Sequence, residues 1–190
     1  MNTDKQADIC QNDARKTAVF VFRTDTNDLR FGAKTAYQTE CAVKRVKQAY
    51  QDLWNVDAEN LNLRKLPCGK WVCDKGYFSV SHSGNYVAVA VGTIPVGIDL
   101  QRFSGVKIAD VAKKFFTEKE KLALQKAQNP TEAFYVTWCK KEALWKSLEN
   151  QPATIKPVDT TGLPFTVQVL KLEEETYFLA VTGEAIVTVE

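Results

Sequence analysis

The segment WCKKEALWK, residues 138–146, decides the predicted fold and chemistry of the second half of this chain. On a helix, Trp138, Glu142 and Lys146 recur every four residues and therefore share one face. An apolar anchor, a carboxylate and an ammonium group then lie in one line. The same spacing is also typical of an ordinary solvated ion pair beside a packed tryptophan, so the segment alone leaves both interpretations open.

A second predicted element supplies another acid. Residues 96–100, Val-Gly-Ile-Asp-Leu, predict a short strand with Asp99 near its centre. Because side chains alternate along a strand, Asp99 and Gln101 point to one side and Ile98 and Leu100 to the other. Two acids from separate elements, together with a lysine, can hold a divalent cation against a phosphate. The sequence therefore indicates chemistry on phosphate groups.

Composition indicates an ordinary globular protein. The chain has 190 residues, of which 45% are hydrophobic and 25% charged, so it can bury a core as one domain or two small lobes. Its net charge of +2 does not mark a nucleic-acid binder. Residues 1–16 are polar and lack the apolar core of a signal peptide, and no apolar run reaches transmembrane length. We therefore expect a cytoplasmic protein.

Cysteine and histidine usage argues against a zinc site. The five cysteines are an odd number in a chain without a signal peptide, which predicts reduced thiols. Cys68 and Cys73 are loosely spaced like metal ligands, but no second cysteine pair and no histidine pair completes the set. Because His82 is the single histidine, a multi-histidine metal centre is excluded.

Hydrophobic periodicity predicts a mixture of strands and helices. Two predicted helices cover residues 35–54 and 108–116. A third starts at a capping box of Thr117 and Glu120, and a fourth is capped by Thr131 and carries residues 138–146. The predicted strands cover residues 18–22, 78–84, 85–91, 96–101, 165–172, 176–182 and 185–189, and residues 66–75 are a loop or hairpin. Two halves of similar make-up meet near residue 95, which suggests a duplicated unit.

Several short segments occur in an order that is typical of one enzyme family. They are Phe78-Ser-Val-Ser-His-Ser83, residues 96–100, Phe115-Phe-Thr-Glu-Lys-Glu120, and Trp138-Cys-Lys-Lys-Glu-Ala143 followed by Lys146. Together they resemble the motifs of the Sfp-type 4′-phosphopantetheinyl transferases. Each motif alone is weak, but the ordered set, which spans roughly residues 70 to 146, is fairly specific.

The resemblance implies a fold and a reaction. The implied fold is α+β, a pseudo-twofold pair of lobes with helices packed on small antiparallel sheets, divided into residues 1–95 and 96–190. The implied reaction transfers 4′-phosphopantetheine from coenzyme A to a serine of an apo acyl or peptidyl carrier protein of fatty-acid, polyketide or peptide synthesis. It requires Mg²⁺ and releases 3′,5′-ADP. We expect a monomer without nucleic-acid or membrane partners.

The resemblance also implies roles for the residues around the metal. Asp99 would be a Mg²⁺ ligand, and Glu142 would be the second acid at the metal and a possible base for the incoming hydroxyl. Lys146 would contact the coenzyme A phosphates and, with the two acids, complete the catalytic set. Gln101 stands where the family usually has a third acid at the metal, and a neutral amide there can orient a water but supplies no charge. Glu120 matches a family acid near the metal.

Further positions would bind the nucleotide end of coenzyme A. Ser81 and His82 would lie near the 3′-phosphate or the adenosine, Lys70 matches a family lysine near the nucleotide, and Lys44 lies in a helix that often supplies another phosphate contact. Simpler roles stay open for these positions, since His82 could stabilise a turn and the two lysines could be surface residues.

The chain departs from the family pattern at a few positions. Besides Gln101, Trp71 stands where a proline often follows the Gly-Lys pair, and residues 149–152 replace an expected glycine-rich turn. One alternative is therefore a catalytically weak relative that binds coenzyme A or a carrier protein without efficient transfer. Another is an unrelated metal-dependent nucleotide hydrolase, which would need more acids than the sequence provides.

Overall fold

The computed structural model describes residues 17–66 and 69–190, apart from the side chain of Phe31. The polar segment 1–16, to which the prediction about a signal peptide applies, lies outside the described residues. So does Cys68, one of the two loosely metal-like cysteines. None of the helices in the described part of the chain is both long and apolar enough to cross a membrane.

Helices and strands alternate along the described chain. The helices are α1 (Phe31–Trp54), α2 (Ile108–Phe115), α3 (Glu118–Lys126) and α4 (Pro130–Ser147), with a 3₁₀ turn at Ala58–Asn60. The strands are β1 (Thr17–Arg23), β2 (Leu63–Lys65), β3 (Trp71–Cys73), β4 (Tyr77–Ser83), β5 (Tyr86–Gly92), β6 (Ile98–Arg102), β7 (Phe165–Leu172), β8 (Glu175–Thr182) and β9 (Ala185–Val189). The predicted α+β class is confirmed.

The two halves of the chain share one strand topology. In the first, β1 pairs antiparallel with β5, and β5 pairs with β4. In the second, β6 pairs antiparallel with β8, and β8 pairs with β7. Each half therefore places its first strand beside the last strand of a following hairpin, in agreement with the predicted pseudo-twofold organisation.

The last strand crosses between the halves. β9 pairs in parallel with β1, so the first sheet has the order β4-β5-β1-β9 and the second the order β6-β8-β7. Among the strands that the structure describes, the pairs are thus antiparallel except for β1 with β9. The division of the chain at residue 95 stays a prediction, because the sheet of the first half also contains a strand from the second.

Two packed sheets with helices on their outer faces form the core. The inner faces meet through residues with no more than 1% exposure, Val19, Val21, Ala88, Ala90, Ile98, Leu100, Leu179 and Val181. On the outside, α1 covers the first sheet and α4 covers the second. Phe115 packs edge-on against Trp138 of α4, with ring centroids 5.6 Å apart, which gives that tryptophan a structural role.

Local sequence explains how several elements begin and end. Gly84 adopts φ +57° in the tight turn between β4 and β5, a left-handed conformation that glycine tolerates. Thr117 and Glu120 form the predicted capping box of α3. The predicted cap of α4 at Thr131 is wrong, because Asn129 is the cap and accepts a 3.2 Å hydrogen bond from the Glu132 amide. Pro130 then occupies the first turn, where no amide hydrogen is needed.

A glycine allows α4 to press against the chain that leads into β6. A Cβ built on Gly97 would overlap the carbonyl group of Ala143 and would lie 2.8 Å from the amide nitrogen of Ser147. Only a residue without a side chain fits at this distance from the helix backbone. The close approach brings the acid of β6 beside the C-terminal half of α4.

Replacing this glycine should push the helix away. We expect Gly97→Ala to lower the free energy of unfolding by about 2 kcal/mol or more, because backbone atoms of the helix cannot move aside independently. Urea or thermal unfolding would measure it. The matched control is Gly32→Ala, since a Cβ at Gly32 meets nothing within 4 Å. The control should be neutral or stabilising by up to about 1 kcal/mol, and equal losses in both variants would contradict the tight contact.

Candidate active site

A buried ion pair lies at the centre of the site. Asp99, which is only 5% exposed, extends from β6. Its Oδ1 atom accepts a 2.7 Å hydrogen bond from the Lys146 ammonium group and a 2.8 Å hydrogen bond from the Ser81 hydroxyl. Residues from α4, β4 and β6 therefore converge on one carboxylate oxygen, and the structure brings together three of the predicted site residues.

The Lys146 ammonium group is held by several acceptors. Besides Asp99, it donates to the Ile98 carbonyl oxygen at 3.2 Å and lies 3.3 Å from the Ser81 oxygen. Its side chain is 24% exposed, so one side of the group still faces outward. A lysine is a compact point charge that can rotate toward a new anion, and this position suits such a change.

The second oxygen of Asp99 is in a different situation from the first. Asp99 Oδ2 is buried, and none of the described residues donates a hydrogen bond to it. A buried carboxylate oxygen without a donor is unfavourable unless a cation or water satisfies it. This orphaned atom fits a cation site.

Glu142 provides a second carboxylate nearby. Burial raises the pKa of the Glu142 carboxyl, the negative charge of Asp99 raises it further, and Lys146 partly opposes both. None of the described residues donates a hydrogen bond to Glu142. A carboxyl group whose pKa is raised by a neighbouring carboxylate favours a bound cation, which would relieve the repulsion.

Oxygen donors of this kind suit Mg²⁺ and do not form a complete cage. In the described ranges, no group of three or more His, Cys, Asp and Glu side chains comes together around a metal position. Gln101 is half-buried on the same side of β6 as Asp99, and its amide lies 3.5 Å from the Arg102 carbonyl oxygen. Mg²⁺ normally uses one or two carboxylates with water and substrate phosphates, so the residues present fit this ion.

A row of serines connects the two sheets at the site. The Ser79 hydroxyl oxygen accepts a 3.2 Å hydrogen bond from the Ile98 amide, and the Ser83 oxygen accepts one of 2.8 Å from the Arg102 amide. With Ser81 between them, these side chains replace main-chain pairing between β4 and β6. The sequence shows them as alternating hydroxyl residues in FSVSHS, but their common role was not predicted.

His82 lies on the opposite side of β4 from these serines and is exposed. Loss of hydration against neighbouring protein atoms lowers the pKa of the imidazole, and the positive charges of Lys146 and Lys34 lower it further. Lys34, in the first turns of α1, donates a 2.7 Å hydrogen bond to the Asn85 side-chain oxygen. An imidazole whose pKa is lowered by two nearby ammonium groups marks a position where an anion would bind favourably.

Lys34 was not singled out from the sequence. Its position beside His82 depends on how α1 lies across the first sheet, and no spacing along the chain reveals this. The predicted helix lysine, Lys44, is instead on the exposed face of α1. Its ammonium group lies 2.6 Å from Glu40, and this side chain is 73% exposed. The phosphate role of Lys44 stays a prediction.

Lys70 lies near Lys146 in one cavity. This cavity of about 210 Å³ is lined by both lysines, by Ser79 and Val80 of β4, by Trp145 of α4, and by Gln151 in the loop after it. The Lys70 ammonium group also donates a 2.6 Å hydrogen bond to the Leu148 carbonyl oxygen. Lys70, which was predicted to lie near the nucleotide, and Lys146, which was predicted to contact the phosphates, therefore line a single cavity.

Glu120, which matches a family acid near the metal, is engaged by other parts of the chain. Its Oε2 atom accepts from the Thr117 amide and the buried Lys141 ammonium group, both at 2.9 Å. Its Oε1 atom accepts from the Thr160 amide and hydroxyl. Lys141 also donates to the Val158 carbonyl oxygen. Both oxygens of Glu120 therefore hold α3, α4 and the segment before β7 together.

Comparisons with known proteins give a consistent result. Residues 95–186 match the family model of the 4′-phosphopantetheinyl transferase superfamily. The chain is 35% identical over 118 residues to the 4′-phosphopantetheinyl transferase gsp of Aneurinibacillus migulanus, a match that covers 60% of this chain and 49% of that protein. It is 35% identical over 72 residues to the 4′-phosphopantetheinyl transferase Sfp of Bacillus subtilis strain 168, covering 37% of this chain and 32% of that protein. The chain thus spans about half, or less, of the length of the curated relatives it matches.

The raised pKa of Glu142 predicts a pH-dependent stability in metal-free buffer. The folded chain holds the Glu142 proton more tightly than the unfolded chain does. Protonated Glu142 therefore contributes to the free energy of unfolding below its ordinary pKa of 4.5, and this contribution is lost as pH rises through the raised pKa. Glu142→Gln removes the charge, so its melting temperature should exceed that of the unaltered protein at about pH 7.5, and the gain should disappear toward about pH 4.5.

Thermal melts in EDTA at both pH values would measure this difference. Glu174→Gln, at an exposed turn position, is the control and should show no pH-dependent gain. A difference for Glu142→Gln that is the same at both pH values would contradict the unfavourable charge.

Proposed function

Because the chain belongs to the 4′-phosphopantetheinyl transferase superfamily, we propose that it transfers the 4′-phosphopantetheine group of coenzyme A to a serine of an apo carrier protein and releases 3′,5′-ADP. The observation that carries the proposal is the Asp99–Lys146 ion pair, with Glu142 nearby and an Asp99 oxygen that has no partner among the described residues. The carrier is of the acyl or peptidyl type used in fatty-acid, polyketide or peptide synthesis.

The proposed reaction is a substitution at phosphorus. The serine hydroxyl oxygen forms a bond to the β-phosphorus of coenzyme A, and the bond from that phosphorus to the bridging oxygen of the pyrophosphate breaks. The bridging oxygen leaves with 3′,5′-ADP and keeps the electron pair. Glu142 is the proposed acceptor of the serine proton, because it is the carboxylate beside Asp99 that is not engaged by a lysine.

Asp99 and Glu142 would hold Mg²⁺, with the Gln101 amide beside them to orient a bound water. The ion would supply positive charge against the pyrophosphate oxygens when bound. Ser81 keeps the Asp99 carboxylate in place through its hydroxyl. Lys146, which neutralises Asp99 in the structure, is placed to turn toward a phosphate.

The nucleotide end is proposed to bind across β4. Lys70 and Lys146 share one cavity and would contact phosphate oxygens. Ser81 and His82, adjacent on β4, would lie near the 3′-phosphate or the adenosine. Lys34 donates to Asn85, and its charge lowers the pKa of His82, so we propose it for this phosphate contact in preference to Lys44, whose neighbour is Glu40.

Gln101 favours one alternative. A neutral amide at the position of a third acid lowers the negative charge of the site and would weaken metal binding. The chain would then bind coenzyme A or a carrier protein without efficient transfer. Among the described residues, no three His, Cys, Asp or Glu side chains form a group that could bind a metal. A metal-dependent nucleotide hydrolase is therefore less well supported.

The proposal includes a cytoplasmic monomer whose partners are coenzyme A and the carrier protein, without nucleic acid or membrane. A mass of one 21.3 kDa chain by light scattering would check the oligomeric state.

Intact-mass spectrometry of an apo carrier protein is the direct test. After incubation with the chain, coenzyme A and Mg²⁺, the carrier should gain about 340 Da, the mass of one phosphopantetheine group. EDTA and Asp99→Ala should each reduce the rate about 100-fold or more, because charge on the phosphates is no longer offset. Asp52→Ala, an exposed acid on α1, is the control and should retain activity. No mass gain across carriers of all three types, despite measurable coenzyme A binding, would favour the binding-only alternative.

A pair of lysine variants tests the nucleotide end. We expect Lys34→Ala to weaken coenzyme A binding about 10-fold or more, because a charge-assisted contact to phosphate is lost, while Lys44→Ala changes it by less than about twofold. Isothermal titration with coenzyme A would measure both variants. The opposite order would assign the phosphate contact to Lys44 and contradict the role of Lys34.

A further inference from the structure

Two serine side chains of β4 hold the backbone of β6 at both of its ends. The Ser79 oxygen accepts a 3.2 Å hydrogen bond from the Ile98 amide, and the Ser83 oxygen accepts one of 2.8 Å from the Arg102 amide. Each contact joins residues that are 19 positions apart, so the two strands run in the same direction with a constant register. Ser79 and Ser83, here called the serine clamp, therefore fix the first and the last residue of β6.

The residues between these two ends carry side chains of the candidate cation site. Asp99 and Gln101 pair with Ala180 and Phe178 of β8, whose side chains pack in the cluster that includes α4. Because residues that pair across neighbouring strands point to the same face of a sheet, Asp99 and Gln101 face α4. The other edge of β6 is paired with β8 along its whole length. The backbone beneath both side chains is thus fixed from two sides.

Ser81, midway between the clamp serines, makes a different contact. The common register places it level with Leu100, but its hydroxyl donates to Asp99 Oδ1 at 2.8 Å. The Lys146 ammonium group lies 3.3 Å from the Ser81 oxygen and donates to the Ile98 carbonyl oxygen. In a main-chain ladder, such a carbonyl oxygen would bond to the neighbouring strand. Side-chain contacts between β4 and β6 therefore leave this acceptor to the lysine of the site.

We propose that Ser79 and Ser83 are positioning residues for the bound cation, because the serine clamp holds Asp99 and the Gln101 amide in place on β6. The inference rests on the proposed function, which supplies the cation. It goes further by giving a role in metal binding to two residues outside the set of proposed ligands.

The proposed cation makes the site sensitive to small shifts of β6. Mg²⁺ requires nearly ideal octahedral geometry, so a displaced ligand weakens its binding. Groups that orient metal ligands through hydrogen bonds commonly contribute about 10- to 100-fold to metal affinity. Because Gln101 supplies no charge, the attraction for the ion depends on the placement of Asp99 and Glu142. Loss of a clamp hydroxyl would leave an amide of β6 without its acceptor and allow that end to move.

Titration with Mn²⁺ tests the serine clamp without coenzyme A or a carrier protein. Mn²⁺ takes the same oxygen ligands as Mg²⁺, and electron paramagnetic resonance measures its free concentration. Ser79→Ala and Ser83→Ala should each weaken Mn²⁺ binding about 10-fold at a temperature where the chain is folded. Ser83→Thr keeps the hydroxyl and should bind within about threefold of the unaltered chain. Asp99→Ala should abolish the binding, which assigns the signal to this site.

A threonine on β7 provides the matched control. The Thr166 oxygen accepts a 2.9 Å hydrogen bond from the Ala185 amide, and its hydroxyl donates to the Gly183 carbonyl oxygen at 2.9 Å. This contact also joins a side-chain hydroxyl to the backbone of another segment, but β8 separates β7 from β6. Thr166→Val should lower the melting temperature as the serine variants do and leave Mn²⁺ affinity within about twofold.

The outcomes separate the inference from the function. Unchanged Mn²⁺ affinity in both alanine variants, in a protein that modifies carriers, would overturn the inference and leave the function intact. An equal loss of affinity in Thr166→Val would show that the effect follows stability alone and would overturn the inference too. Absence of Mn²⁺ binding by the unaltered chain would also overturn it, while the carrier assay decides the function separately. Serine-dependent Mn²⁺ binding without any carrier modification would support the inference while the proposed transfer fails.

Discussion

The hydrogen-bonded ion pair between Asp99 and Lys146, 2.7 Å long, fixes the relative positions of the elements around it. Burying two opposite charges is unfavourable unless their geometry is good and other groups satisfy them. Here Ser81 from β4 completes the contacts of Asp99 Oδ1, and the Ile98 carbonyl completes those of Lys146. Gly97 makes this geometry possible, because any larger residue would hold α4 away from β6. The site therefore depends on the absence of one side chain as much as on the presence of three.

Adjacent residues on α4 serve different purposes. Lys141 is fully buried and pairs with Glu120, whereas Glu142 faces Asp99. Neighbours on a helix point about 100° apart, so consecutive charged residues can belong to separate networks. One network holds α3 and the segment before β7 against α4. The other forms the candidate cation site. The motif that looked like one chemical unit in the sequence thus combines a structural anchor with a reactive group.

Local signals in the sequence predicted most elements but not their assembly. The capping box at Thr117, the β4–β5 hairpin and the shared face of Glu142 and Lys146 follow from short-range patterns. The place of β9 beside β1 and of Lys34 beside His82 follows from contacts between distant segments, which periodicity cannot reveal. The cap of α4 was misplaced by two residues, because Pro130 supports a helix start that the pattern at Thr131 also allowed. Asp99 and Lys146 could be named from motifs. The serine row that joins β4 to β6 could not, because it depends on contacts between separate strands.

The pairing of β9 with β1 has a consequence for the order in which the protein is made. Strand pairs between segments far apart in sequence slow folding, because a long loop must close before the contact is gained. During synthesis β1, α1 and the β4–β5 hairpin emerge first, but one edge of their sheet stays open until β9 has left the ribosome. The exposed backbone groups of β1 are then a temporary template for wrong partners. The ion pair between Arg45 of α1 and Glu190, which follows β9, also links this helix to the end of β9. The sheet of the first half is thus complete only when β9 has been synthesised.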